Sequence, residues 1–163
     1  MNLSYRGFLW LVSAVAVFIL AGASAAIFPV LTGGSANKKV AVEIAGARVS
    51  AYVAESREER ERGLAGRTFL RESEGMLFKT EKPELQVFWM KGMLIPIDII
   101  WVRDGVVIGA ETNVPPPLGA SVDTALIRYP SPLFVDQVLE VPAGFVERHK
   151  ISTGDRVEIK ASE

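Results

Sequence analysis

The chain has 163 residues, 49% of them hydrophobic, and a formal net charge of −1: enough for one ordinary domain core, with no field to attract nucleic acid. It contains no cysteine and a single histidine, His149. Thiol nucleophiles, thiolate metal sites, disulfides and any cluster of two imidazoles are thereby excluded.

The N-terminus carries Arg6 and then no charged side chain from residue 8 to residue 31. An apolar span of about 20 residues crosses a bilayer as a helix, and a basic residue ahead of it favours a cytoplasmic N-terminus. Residues 1–31 are expected to be a signal-anchor helix, inserted in the membrane through residues 8–31. The alternative is a removable signal peptide, since Ala23-Ser24-Ala25 fits a small-residue cleavage pattern. In the first case the rest of the chain is membrane-anchored outside the cytoplasm; in the second it is secreted or periplasmic. Residues 32–38 read as a linker, and 39–161 as the globular domain.

Within that domain, 40–44 and 48–53 read as strands joined in a hairpin at Ala45-Gly46-Ala47. Ser56 and Glu59 form a capping box that opens a helix running to Gly63, its charge run a solvated face. Residues 74–78 begin the next strand, Lys82-Pro83 interrupts it, and 85–90 resumes the alternation. The β-branched run 96–103 reads as a buried strand before a turn at Asp104-Gly105. It sets Ile97, Ile99 and Trp101 on one face and Asp98, Ile100 and Val102 on the other. Residues 106–108 pair back across that turn. Pro115-Pro116-Pro117 cannot join a ladder, so residues 115–132 are expected to form a long loop. A strand over 135–141, a short helix from Pro142 to His149, and a last strand over 156–160 complete the order. The expected fold is a mainly β, jelly-roll or barrel-like domain with two short helices and no parallel βαβ sheet.

Asp98 is the polar residue that stands out, a carboxylate set between Ile97 and Ile99. A buried charge needs a partner, so Asp98 is expected to be held by a cation, Lys91 or Arg67, or by several donors. Trp89 and Trp101 could stack on a sugar or another planar ligand, although core packing explains them as well. The candidate ligand-binding residues are Arg67, Trp89, Lys91, Asp98 and Asn113. Acid–base hydrolysis would need a second carboxylate beside Asp98, with Glu74, Glu111 and Glu140 available. No dense acidic loop suited to calcium is present, and neither a metal nor a cofactor is expected.

Five segments carry a family resemblance: GLAGR at 63–67, GMLF at 75–78, FWMKGMLIPIDIIWV at 88–102, NVPP at 113–116 and VLEVPAGFVERHKISTGDRVEI at 138–159. In this order they resemble the blocks of the bacterial and archaeal domain of unknown function 192 family. The resemblance implies one compact β domain, often behind a signal sequence, and brings no established reaction. The family usually has Asn-Thr after Trp-Met-Lys, where this chain has Gly92-Met93. A polar role for those two side chains is lost here.

Three functions from different classes follow. The first is a non-catalytic envelope domain that binds a small ligand, a glycan or a protein partner. The second is a hydrolase using Asp98 with another carboxylate. The third is a structural or chaperone-like accessory protein of the envelope.

Overall fold

Two tight turns set the register from which the sheet grows. Strand β1 (Lys39–Ile44) reverses into β2 (Ala47–Ala54) at Ala45-Gly46, with φ of 47° and 79°. Strand β5 (Ile97–Arg103) reverses into β6 (Val106–Val114) at Asp104-Gly105, with φ of 50° and 69°. Consecutive positive-φ residues twist with the flanking strands, which is why glycine and aspartate serve there. The structure, a computed structural model, describes residues 38–117 and 127–161. The expected anchor or signal segment over 8–31 lies outside these residues. Among the described residues, no helix is long and apolar enough to cross a membrane.

Helix α1 (Arg57–Arg62) starts at the capping box read from the sequence: Ser56 Oγ accepts from the Glu59 amide, and the Glu59 carboxylate accepts from the Ser56 amide. Gly63 ends it at φ 52°, ψ −133°. The chain then crosses over and enters β3 (Glu74–Glu84) parallel to β2. The other pairs of this sheet are antiparallel, in keeping with the expectation of no parallel βαβ sheet, and this one parallel pair is the exception. The connection from residue 55 to 73 is long enough for a crossover, and its short polar helix gave too weak a signal to announce one.

Strand β3 also runs on through Lys82-Pro83, where a break was expected. The register shifts between Lys79 and Glu84 and the stretch is exposed, so the missing proline N–H leaves no buried acceptor unpaired. The expected loop over 115–132 holds a further short strand, β7 (Arg128–Pro130), which pairs with β4 (Val87–Trp89). Pro142 closes strand β8 (Val135–Pro142) instead of opening a helix. Helix α2 (Phe145–Arg148) begins after Gly144, and β9 (Val157–Ala161) ends the domain.

The larger sheet has seven strands in the order β6-β5-β8-β3-β2-β1-β9, and β4 with β7 forms a separate ribbon. The large sheet is a single one curled into a half-barrel, and its two edges meet at a bridge between Val106 and Arg156. There the Val107 amide donates to the Asp155 carbonyl at 2.9 Å and the Val157 amide to that of Gly105 at 2.8 Å. Of the two expected shapes, this is the barrel-like one. Each face carries its own core. Ile100, Val102, Leu139, Val141 and Phe145 pack on one, and Phe78, Ile97, Ile99, Trp101 and Val138 on the other. The alternation read along 97–102 therefore holds residue by residue.

Candidate functional site

Two carboxyl groups are buried in the sheet, and they lie on opposite sides of it. Asp98 is fully buried on the face of Ile100 and Val102. Its Oδ1 accepts from the Asn113 amide at 2.7 Å and the Gly144 amide at 3.1 Å, and its Oδ2 from the Val146 amide at 2.9 Å. Asn113 supplies this amide from a left-handed conformation, φ 52°, that asparagine tolerates better than most residues. Gly144 supplies its amide from φ 77°, a left-handed conformation that favours glycine. Asp98 thus ties the end of β6 and the start of α2 to β5. Three donors hold it, as the buried position demanded, and they are backbone amides in place of Lys91 or Arg67.

The other candidates disperse. Arg67 lies over the Tyr52 ring at 4.6 Å. Trp101 is in the core, 1% exposed, while Trp89 and Lys91 line a cavity on the other face. Asp98, Asn113 and Arg67 are not part of that cavity's wall. The five residues therefore do not form one site.

The cavity, about 230 Å³, is bounded by α1, by β3 and β8 of the sheet, and by β4 with the turn after it. Two of the sequence blocks meet at its edge: the Gly66 amide donates to the Gly92 carbonyl at 2.9 Å, fixing the segment 63–67 against the turn 90–93. Leu64, Phe78, Phe88, Met93 and Val138 give it apolar walls. The rings of Phe78 and Phe88 meet edge to face at 4.9 Å, and Phe88 meets Trp101 in the same way at 5.6 Å. Trp89 stands at the mouth with the Arg128 guanidinium 5.1 Å from its ring centre.

Glu140 also lines this cavity, on strand β8. It is 5% exposed, and its Oε2 is buried without a hydrogen-bond partner. Burial alone pushes its carboxyl up to about 8, so the group is mostly protonated at neutral pH. Two glycines make the arrangement possible. A Cβ on Gly75 would come 2.6 Å from the Glu140 carbonyl oxygen, so only glycine lets β3 approach β8 there. Gly63 ends α1 beside the carboxyl at φ 52°, a left-handed conformation that favours glycine. Asp136 Oδ1, on the same strand, is likewise buried without a partner, while its Oδ2 accepts from the Asp104 amide at 3.1 Å. Gln137 Oε1 is also without a partner, but Gln137 stands opposite Val102, on the other face.

A buried neutral acid can donate a proton or accept a hydrogen bond, and either suits a ligand or a general acid. Paired-carboxylate hydrolysis meets a geometric obstacle. Glu140 pairs with Ile99 across the β5–β8 ladder while Asp98 pairs with Val141, so the two acids point away from each other. Asp136 shares the face of Glu140 but is four residues along the strand, about 13 Å at the usual rise. The separations used by glycosidase acid pairs are about 5–9.5 Å. Among the described residues, no cluster of three or more histidine or acidic side chains is arranged to hold a metal ion.

These features define a mainly β domain, one curled seven-stranded sheet with a two-stranded ribbon, and a cavity that has apolar walls and a buried acid within it. The chain belongs to the family DUF192, described as "Uncharacterized ACR", which matches residues 40–159. Among solved structures it is similar to a protein of unknown function from Novosphingobium aromaticivorans, 31% identical, with a TM-score of 0.66 over 74% of this chain and 84% of that one. It is also similar to a candidate transcription regulator from Sinorhizobium meliloti, 28% identical, with a TM-score of 0.64 over 75% of this chain and 92% of that one. No curated protein matches.

Proposed function

We propose that this domain is a non-catalytic binding module for a small molecule, seated in the cavity that Glu140 and Phe78 line, and displayed outside the cytoplasm by the apolar segment 8–31. The observation that carries the reading is a cavity with aromatic walls into which a buried, unpartnered carboxyl faces. Apolar walls with a few placed polar groups are what ligand sites are built from, and a buried polar group without a partner is costly unless something satisfies it. Catalysis is the weaker reading because Asp98 faces the other side of the sheet, with both oxygens taken up by backbone amides. The exported location is read from the composition of residues 8–31 alone.

Nuclear magnetic resonance of the isotopically labelled full-length chain tests the binding reading with p-xylene, cyclohexanol and methyl glucoside as probes. Shifts confined to residues 63–64, 78, 88–93 and 136–140 are the expected result. No shift at millimolar concentration with any of the three rejects it. Cell fractionation with sequencing of the N-terminus tests the placement: a membrane-bound chain supports the anchor, a soluble chain beginning at Ala26 supports the cleaved signal, and a soluble cytoplasmic chain that keeps Met1 rejects both.

A further inference from the structure

We infer that the occupant of this cavity is a small zwitterion with its charges separated by an apolar body, a protonated amine docking on Glu140 and an anionic end facing the cavity mouth. The inference rests on the binding reading above and adds the chemical class of the ligand. The first observation is the unpartnered carboxyl oxygen. Glu140 Oε2 lies in the wall formed by β8, buried and without a hydrogen-bond partner. Once ionised this carboxyl only accepts, and an ammonium brings it three N–H donors together with the opposite charge. A carboxylate or phosphate pointing inward could only accept from the neutral acid and would bring no opposite charge.

The second observation is electrostatic. Burial is the sole cause that raises Glu140, and no cation among the described residues offsets it. An arriving ammonium would supply that missing charge, and Glu140 would release its proton to solvent to complete the ion pair. The walls between are apolar, with Phe78, Phe88, Leu64 and Val138 suited to a ring or a short hydrocarbon.

The third observation concerns the charged groups around the mouth. Helix α1 presents Arg57, Arg60, Glu61 and Arg62, strand β3 presents Lys79 and Glu84, and Lys91 follows β4. All of these are exposed, with cations in excess. Asp136, half-buried on β8, is the remaining charged group of the wall. A bare amine would meet repulsion at such an entrance, whereas an anionic tail would be held there.

Calorimetry on the full-length chain with four probes that share one ring tests this: 4-(aminomethyl)benzoate, 4-methylbenzylamine, 4-methylbenzoate and p-xylene. The aminomethylbenzoate should bind at least about tenfold tighter than either singly charged probe, one extra charge-assisted contact being worth that much. Its affinity should rise up to about tenfold per pH unit below pH 8 and level off above it, because binding is linked to loss of one proton. Glu140→Gln should cost both amines about tenfold or more, and p-xylene less than about threefold. In the unsubstituted chain at pH 7, the carboxyl ¹³C resonance of Glu140 should move to its ionised position when the zwitterion is added. This readout serves even if the variant does not fold. Binding of 4-methylbenzoate as tight as that of the zwitterion, or a Glu140 resonance that stays put at saturation, overturns the inference while leaving the binding module intact. If none of the four probes binds, p-xylene included, the underlying reading falls with it.

Discussion

Asp98 and Glu140 sit on neighbouring strands, one register step apart, and have opposite fates. Asp98 faces a core where the backbone turns toward it three times, so each amide it meets has found its acceptor. Glu140 faces a core that opens into a cavity, and there its Oε2 finds no hydrogen-bond partner. The same residue chemistry at nearly the same depth yields a structural knot on one side and a receptive acid on the other. Burial alone does not mark a functional carboxyl; an unmet hydrogen-bonding capacity at the edge of a cavity does.

The contrast is broken most forcefully at Asp98. Replacement by alanine strands three backbone donors, each costing about 1–3 kcal/mol when left without an acceptor, so a loss of at least about 3 kcal/mol is expected in urea unfolding. Asp98→Asn should lose about half as much, since one acceptor oxygen remains. An alanine variant as stable as the parent would show that the knot contributes nothing.

Glu140 should respond to pH with a slope of its own. Its carboxyl titrates near 8 in the folded chain against 4.5 ordinarily, so the folded state holds the extra proton between those values. Its contribution to stability is therefore greatest below about pH 4.5 and falls as pH rises through 8, by up to about 1.4 kcal/mol per unit. Unfolding curves at pH 5, 6, 7 and 8 should show this decline in the parent chain and a flatter profile in Glu140→Gln. Equal slopes in the two would mean that Glu140 is not neutral in the folded state.

Two smaller effects sharpen the comparison. Trp89→Ala should cost less than about 1 kcal/mol, because the ring stands at the cavity mouth with one stacked guanidinium, yet it should weaken binding of the aromatic probes several-fold. Equal loss of stability and affinity would instead make Trp89 part of the scaffold. Glu72 holds Arg148 through two contacts, 2.9 and 2.6 Å, and lies 3.3 Å from the His149 ring. Arg148 keeps its carboxyl below the usual range, so its contribution is present above that range and disappears as pH falls through it, the opposite sign from Glu140. Both partners are about half exposed, so Glu72→Ala should cost less than about 1 kcal/mol by unfolding.

Much of the local structure was legible in the sequence. The capping box at Ser56, both hairpin turns and the face alternation along 97–102 depend on neighbours within a few residues, and each is realised. What escaped was carried by distant partners. The parallel β2–β3 pair and the β5–β8 ladder join segments whose proximity no local pattern announces. Asp98 was singled out by its apolar flanks, but its donors are main-chain amides, which have no letter in a sequence, and so Lys91 and Arg67 stood in for them. Glu140 had the same signature, an acid between Leu139 and Val141, yet it stood beside Glu74 and Glu111 with nothing to rank it. The unpartnered oxygen that distinguishes it exists only once α1 and β4 are in place.

The pairing of β1 with β9, Val40 opposite Ala161, has a consequence for how the chain reaches this state. The earliest strand of the domain waits for the latest as its edge partner, and the bridge from Val106 to Arg156 closes only when that last segment has arrived. Long-range closure of this kind slows folding, because the entropy of a large loop is spent before the contacts that reward it form. A chain threaded through a membrane from its N-terminus would therefore hold an incomplete sheet, with β1 exposed along one edge, until its C-terminal segment had crossed. Its exposure to aggregation and proteolysis would be set by the pace of translocation as much as by the stability of the finished fold.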